Sequence, residues 1–447
     1  MQDELQTLTT EHGILSRKIG QAKRAGEPVD ELVAQVSALS QQINSIKNQL
    51  AESDEEKHSS SASSNSKNAQ ADQATQESVH ALFVPNSHVV NNASVCEGDV
   101  IQLAGANEDD AQDWDEYVLN RADASTYHYW SIRESLAGSF AHPCHYFIAR
   151  YQNGKVCGVL PSVELSSPLF GHFIVSMPYF TYGGVLADSA SIEQTLIQAL
   201  LEKAKTLGVS HVEIRKQSQA LDLLPSLKEK QSKVSMVCAL PNNKQQFWSD
   251  AGSKVRAQVK KAKRFNLETC FGRLELIDDF YTVFATNMRD LGTPVYAKSF
   301  FENLLYSDSK NRYSISVTYD AKKPVAACFL MGNKSIREIP WASSLRSAAS
   351  KNANMAMYAA VLDDTIDQAY THFDFGRSSP DAGTYRFKKQ WGAKPMPLYW
   401  YYWLRDGGDL PELNPNNPKY KLLIKVWQRL PVWLTKLIGP PVVKYLP

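Results

Sequence analysis

The sequence predicts an α+β protein: two units of mixed sheet and helix, preceded by an antiparallel coiled-coil hairpin. Three observations carry this reading. Apolar residues recur at alternating steps of three and four through the first 50 positions, the seam of a coiled coil. Helix-period and strand-period segments then alternate in two passes of similar order. The chain is 447 residues long, more than one hydrophobic core organises, so two globular units with appendages are expected.

The first seam is Leu5, Leu8, His12, Leu15, Ile19 and Ala22, and the second is Leu32, Val36, Leu39, Ile43, Ile46 and Leu50. Between them Gly26 can end one helix and Pro28, with Asp30 nearby, can help open the next, which gives a hairpin over residues 1–51. From 52 to 97 the composition falls to Ser, Asn, Gln, Ala and charge, including Ser59-Ser60-Ser61-Ala62-Ser63-Ser64. Such a stretch cannot bury a core and reads as a disordered linker.

The first mixed unit is expected over 98–240. Trp114, Tyr117 and Val118 mark one helix, and Tyr129, Ile132 and Leu136 a second. Strands at 145–151 and 155–163 flank Asn153-Gly154, a pair that supplies the positive φ of a tight hairpin. A strand at 173–176, a helix at 192–207 ended by Gly208 and a strand at 211–215 follow. The second unit, 241–406, predicts helices at 253–264, 277–291 and 298–306, strands at 313–319, 324–331 and 335–341, a helix at 353–370, and strands at 372–375 and 398–403. Residues 407–447 form a basic, Trp-bearing amphipathic tail, which fits either the inner membrane leaflet or a groove of the protein's own core.

Charge and cysteine content narrow the function classes. Forty-eight Lys and Arg against 47 Asp and Glu leave a net charge of +1, so no global field draws the molecule to nucleic acid or lipid and any basic surface is local. One such surface is the run Lys254, Arg256, Lys260, Lys261, Lys263 and Arg264, with Val255, Val259 and Ala262 able to pack inward; a solvated helix face is its default role, and a tRNA or nucleotide-sugar contact the sharper one. The six cysteines include no CxxC pair, so neither a zinc site nor a disulfide framework is indicated. Walker, HExxH and GxSxG patterns are absent. With no basic and apolar leader at Met1 and no apolar run of about 18 residues, a cytoplasmic protein is expected, peripheral at the inner membrane if the tail engages it.

Three constellations carry chemistry. Met177-Pro178-Tyr179-Phe180-Thr181-Tyr182-Gly183-Gly184 follows a strand, with glycines for close backbone approach and aromatics for a pocket wall; a turn whose aromatics simply pack is an equal reading. Asp290-Leu291-Gly292-Thr293-Pro294-Val295-Tyr296 ends a helix and offers Asp290 and Tyr296 as substrate-orienting groups, if its loop faces a cleft. Asp374-Phe375-Gly376-Arg377, followed by 383–392 with Tyr385 and Lys388, delivers a carboxylate from a strand into a Gly-containing loop beside Arg and Lys, which fits an acidic substrate or a phosphate.

The pattern FDFGRS, GTYRFKKQWG, DLGTPVY and SMPYFTYGG resembles the FemAB-related branch of the acyl-CoA N-acyltransferase superfamily, in particular the proteins of PEP-CTERM and exopolysaccharide systems, over residues 98 to 406. The resemblance implies tandem GNAT-like domains facing each other across a cleft, the second being the catalytic candidate. It implies attack of an amine on an activated acyl carbon, with acyl-CoA or aminoacyl-tRNA as donor substrate and no tightly bound cofactor or metal. The acceptor implied is an amine-bearing sugar or peptide precursor of the envelope or exopolysaccharide. On this reading Asp374 orients or deprotonates the nucleophile, Tyr385 protonates the leaving thiolate or ribose oxygen, and Arg377 with Lys388 binds carboxylate or phosphate. Gly376, Asp290, Tyr296, Tyr182 and Gly183 complete the substrate site. The GNAT pyrophosphate motif Gln/Arg-x-x-Gly-x-Gly/Ala is missing; its position falls at 347–354, where Lys351 and Asn352 are the candidate donor-binding residues.

The N-terminal hairpin, Leu15-Ser16-Arg17-Lys18-Ile19-Gly20 through Gly26-Glu27 to Leu50, resembles the tRNA-binding arm of seryl-tRNA synthetase. It grips tRNA through Arg17, Lys18, Lys23 and Arg24, or it is an assembly handle giving a homodimer; the second reading is favoured. The alternative to an enzyme is a silent module that uses cleft and arm to recruit tRNA or a biosynthetic complex.

Overall fold

The computed structural model describes residues 101–219, 224–411 and 418–446, together with helical positions at 8, 11, 15, 31, 32, 35, 38, 39 and 42. The hairpin as a whole and the linker expected over 52–97 lie outside the described residues.

Three sheets organise the rest. The first runs β1 (Ile101–Gly105), β2 (Phe147–Tyr151), β3 (Val156–Leu160) and β6 (Leu186–Ala187), all antiparallel. Its central hairpin turns at Gly154, φ +83°, as Asn-Gly predicted. The strand expected at 155–163 is two: past Pro161 the chain leaves this sheet, and β4 (Val163–Ser167) opens the next, ordered β4, β5 (Gly171–Val175), β7 (His211–Lys216), β16 (Tyr399–Leu404), β8 (Lys228–Lys230). Proline's missing N–H suits this break. The third sheet is ordered β10 (Glu268–Gly272), β11 (Tyr313–Asp320), β12 (Lys323–Asn333), β13 (Ile336–Ser344), β14 (His372–Ser378), β9 (Val234–Ala239), β15 (Lys394–Pro397).

Each half contains one parallel pair made by a helical crossover. β5 joins β7 through α3 (Ala190–Leu207), capped by Ser189 at its start and by left-handed Gly208 at its end. β13 joins β14 through α8 (Ala353–Asp367). The other helices are α1 (Ala111–Asn120), α2 (Trp130–Phe140), α4 (Lys244–Asp250), α5 (Ser253–Lys263), α6 (Ile277–Leu291), α7 (Lys298–Ser307), α9 (Gly383–Lys389), α10 (Pro418–Trp427) and α11 (Val432–Val443). On α5, Val255, Val259 and Ala262 are buried and Lys260, Lys261 and Lys263 face solvent, the face division its pattern implied.

The boundary expected at 240/241 is crossed in both directions. β9, N-terminal to it, lies between β14 and β15 in the sheet of the second half. β16, near the end of the second half, pairs with β7 and β8 of the first. A continuous core also joins the halves: Tyr127, Phe180, Phe300 and Trp341 pack in one cluster, and α2 meets α7 with Asn303 donating to Ser139 Oγ at 2.9 Å. Tyr129 donates to Asn333, which donates in turn to the Ala124 carbonyl.

The tail covers part of this core. Thr435, Gly439 and Val443 on α11 are buried, and a Cβ at Gly439 would stand 2.9 Å from the Val295 nitrogen. Gln428 donates to the Asp290 carbonyl, and the Lys444 carbonyl accepts from Tyr179. Leu422, Leu423, Trp433 and Leu437 nonetheless remain 63–67% exposed. No helix among the described residues is long and apolar enough to cross a membrane.

Because each half borrows a strand, separating the chain at residue 240 is expected to give two fragments that do not melt cooperatively alone and that recover a cooperative transition when co-expressed. Circular dichroism melting of each fragment and of the pair checks this.

Candidate active site

β13 and β14 pair in parallel over only three positions, the last being Glu338 with Asp374. Partners across adjacent strands point to the same face about 5 Å apart, so the register alone sets two carboxyl groups side by side. Both are buried, at 2% and 1% exposure.

Asp374 is fully engaged. Ser235 Oγ lies 2.6 and 2.7 Å from its two oxygens, Tyr182 donates to Oδ2 at 2.9 Å, and the Gly376 N–H donates to Oδ1 at 2.7 Å. Tyr182 comes from the first half, Ser235 from the crossing strand β9 and Gly376 from β14 itself. Burial raises the Asp374 carboxyl, while Ser235, the Gly376 N–H and Tyr182 hold it down. Glu338 lacks equivalent support: Oε1 is buried with no hydrogen-bond partner among the described residues. Burial first and the Asp374 charge second push Glu338 up to about 8, against the pull of the Tyr127 and Tyr182 hydroxyls. Burial and the neighbouring carboxylate thus hold Glu338 toward its protonated form.

Past Asp374 the strand bulges. Its pairing with β9 shifts between Asp374 and Arg377, and Gly376 takes φ +77°, a left-handed conformation that favours glycine. Lys388, on α9, turns inward and donates to the Gly376 and Arg377 carbonyls at 2.9 Å each. Burial lowers its ammonium to about 8, with Asp374 opposing and Arg377 adding to the shift. Arg377 is exposed to solvent, and its guanidinium lies 5.2 Å from the centre of the Trp400 ring. Tyr296 stands within reach of the Arg377 charge and packs on Trp341, centroids 6.1 Å apart.

The structure thus brings together Tyr182, Asp374, Gly376, Arg377, Lys388 and Tyr296. Gly183 borders the cluster: at φ +138° its Cβ would meet Met177 Cβ at 2.8 Å, and it lines a shallow recess with His128, Gly184 and Lys216. The remaining predicted residues are engaged elsewhere. Asp290 pairs with Arg289 at 2.6 Å, and its carbonyl anchors Arg346 and Gln428. Lys351 pairs with Asp320, and Asn352, left-handed at φ +56°, donates to the Gln258 carbonyl. Tyr385 packs against the core cluster built around α8.

The residues the sequence reading missed are Tyr127, Ser235, Glu338 and Arg215. Glu338 carried a signal, an acid inside the apolar strand Ile336-Arg337-Glu338-Ile339; Ser235 and Arg215 carried none apart from the sheet that places them. Arg215, 2% exposed, donates to Glu213 at 2.5 Å and to the Phe180 carbonyl at 2.7 Å. With Ser176 Oγ accepting from the Arg215 N–H, these contacts fill the space beyond the parallel pair of the first half with its own chain. No cluster able to hold a metal ion is found among the described residues.

Residues 249–389 match the model of the acetyltransferase (GNAT) domain. FemX, in crystal structure, aligns at TM-score 0.52 with 12% identity, covering 72% of this chain and 100% of its own. L-PGS from Bacillus licheniformis aligns at 0.45 with 12% identity over 75% of this chain and 98% of that one. A tandem GNAT protein from the clavulanic acid biosynthesis pathway aligns at 0.44 with 12% identity over 69% and 100%. At scores under 0.5 the latter two fix nothing about the fold. No curated protein matches. The GNAT-domain match over residues 249–389 marks an acyltransferase. The fold, two mixed sheet-and-helix halves, is similar to that of FemX.

A carboxyl raised by folding favours the folded state while protonated and loses that advantage as pH rises from its unfolded value toward its folded one. For Glu338 that window runs from 4.5 to about 8, below the window of Lys388, which opens at about 8. Relative to Glu338→Gln, the native protein is expected to lose on the order of a few kcal/mol of stability as pH rises through this window. Urea unfolding of both proteins across the window measures it.

Proposed function

We propose that this acyltransferase moves an acyl or aminoacyl group onto an amine of an envelope or exopolysaccharide precursor. The observation that carries the reading is the convergence of both halves on the Tyr182–Asp374 bond, beside an exposed Arg377 and a buried ammonium. Two classes of donor fit, acyl-CoA and aminoacyl-tRNA. The segment 345–352 lies between β13 and α8, and α8 starts without a side-chain cap; its free N–H groups suit a donor phosphate. Lys351 and Asn352 would then act by shaping the turn.

In the proposed step the acceptor amine attacks the acyl carbonyl carbon. A C–N bond forms, the C–S bond to CoA or the C–O bond to the tRNA ribose breaks, and the amine proton leaves with the thiol or hydroxyl. An ammonium has three N–H donors. Two of those on Lys388 are taken by carbonyls, which leaves one for the oxyanion of the tetrahedral intermediate. Asp374, sequestered and saturated, holds Tyr182 and the 376–377 bulge in place rather than touching the amine. Arg377, Tyr296 and Gly183 meet the acceptor, with Asp290 fixing the helix end behind Tyr296; Tyr385, packed against the α8 core, holds α9 in place.

Purified protein incubated with labelled acetyl-CoA, other acyl-CoAs or aminoacyl-tRNA and amine-bearing cell-wall precursors is expected to transfer label with one donor class. Lys388→Ala should lower kcat about 10²–10³-fold, the loss typical of one oxyanion donor, and Asp374→Asn should lower it with the fold retained by circular dichroism. Because the charged ammonium is the working form, kcat should fall as pH rises through about 8. No product with any donor would overturn the reading.

The tail supports work at a membrane surface. From residue 413 onward the sequence holds Lys419, Lys421, Lys425, Arg429, Lys436 and Lys444 and no Asp or Glu, beside the exposed Leu422, Leu423, Val426, Trp433 and Leu437. The protein is expected to float with vesicles containing phosphatidylglycerol and not with neutral ones, and Trp433→Ser with Leu437→Ser to abolish flotation.

A further inference from the structure

Two sheets meet where β14 and β9 approach β16, and the registers there gather cations. On β16, Trp400 is paired with Arg215 on one side and Lys230 on the other, so all three share a face. From the other sheet, Arg377 pairs with Ser235 on β9, and Lys233, two residues before Ser235, lies diagonal to it on the same face. The Arg377 guanidinium lies 5.2 Å from the Trp400 ring centre and that of Arg215 4.5 Å from it. Lys233 Nζ donates to Ser379 Oγ at 2.6 Å, and Lys230 Nζ stands 6.0 Å from the centre of the Tyr402 ring.

These cations are not balanced. Arg215 has its carboxylate in Glu213, and the charge of Asp374 reaches Lys388 more directly. Among the described residues no carboxylate forms an ion pair with Arg377, Lys230 or Lys233, whereas most other arginines near the halves' contact have one. Trp400 adds a second sign: its indole N–H is buried without a partner. The mutual repulsion is registered in the lysine itself, which desolvation first, then Arg377 and Lys230, hold below its ordinary proton affinity. Three half-buried or exposed cations gathered by strand register, with no acid in an ion pair with them and only the charge of Glu213, already paired with Arg215, reaching Arg377, constitute a cradle whose missing component is an anion.

We infer that Arg377, Lys233 and Lys230 form a binding site for the phosphate or diphosphate group of a substrate. The fork of Arg377 supplies two parallel donors to phosphate oxygens, and the two lysines supply point charges from the flanking strands. The site is set by the sheet junction; only the identity of the molecule that brings the phosphate rests on the acyl-transfer reading. That phosphate belongs either to the donor, as in CoA or tRNA, or to a nucleoside-diphosphate-linked acceptor.

Isothermal titration of the full chain with inorganic pyrophosphate tests the site without any turnover, so failure of acyl transfer and failure of this site are separate results. Saturable binding that weakens with added salt is expected. Arg377→Gln and Lys233→Gln should each weaken it about tenfold or more, Lys230→Gln less, and Lys155→Gln, an exposed hairpin lysine, should leave it unchanged. Urea midpoints matched to the native protein show that the variants fold; should Arg377→Gln fail to fold, Lys233→Gln and Lys230→Gln decide. Competition then separates the sources: displacement of pyrophosphate by CoA or tRNA assigns the site to the donor, and displacement by uridine diphosphate alone assigns it to the acceptor. Absence of saturable binding, or equal binding by every variant, overturns the inference.

Discussion

The buried carboxylate of Asp374 is the constraint on which the active region depends. It accepts from a tyrosine of the first half, a serine of the strand that crosses between halves and the backbone of its own bulge. A carboxyl group this deep is tolerated only when its oxygens are bonded, so the position of each donor is dictated by the others. Tyr182 fixes the glycine loop, Ser235 fixes β9 beside β14, and the Gly376 N–H fixes the turn that aims Arg377. Glu338, its neighbour across the parallel pair, is pushed toward its protonated form by burial and by that carboxylate.

The two halves repeat one plan and use it differently. In each, a helical crossover makes a short parallel pair whose strands then part. In the first half the opening is closed by Ser176, the glycine loop and the buried Arg215, which ties that loop through the Phe180 and Met177 carbonyls. In the second half the opening carries the acid pair, the bulge and Lys388. The first half thereby serves as a wall and a source of Tyr182 and Tyr127, and the polar chemistry lies with the second.

Much of this was legible in the residues. Asn153-Gly154 foretold its hairpin and Gly208 its helix end, because a positive φ leaves few residue choices. Asp374, Gly376, Arg377 and Lys388 stood out as a group because a strand ending in a charged, glycine-containing loop is unusual in an apolar interior. The crossings were not legible: 234–239 drew no strand assignment, 398–403 read as an ordinary strand, and nothing local states which sheet a strand joins. Pro161 was likewise read through rather than as a change of sheet. Asp290, Lys351 and Tyr385 carried the right chemistry in sequence, but Arg289, Asp320 and the α8 core surround them, and such surroundings are set by tertiary packing alone.

The borrowed strands also bear on how the polypeptide is made. Strand β7 of the first half is flanked by residues 399–404, which leave the ribosome roughly two hundred residues after it. The N-terminal half cannot reach its final hydrogen bonding during synthesis, and its long-range pairing raises the entropic cost of closure. One edge of β7 therefore stays unpaired until residues 399–404 arrive, and the sheet of the first half closes only then.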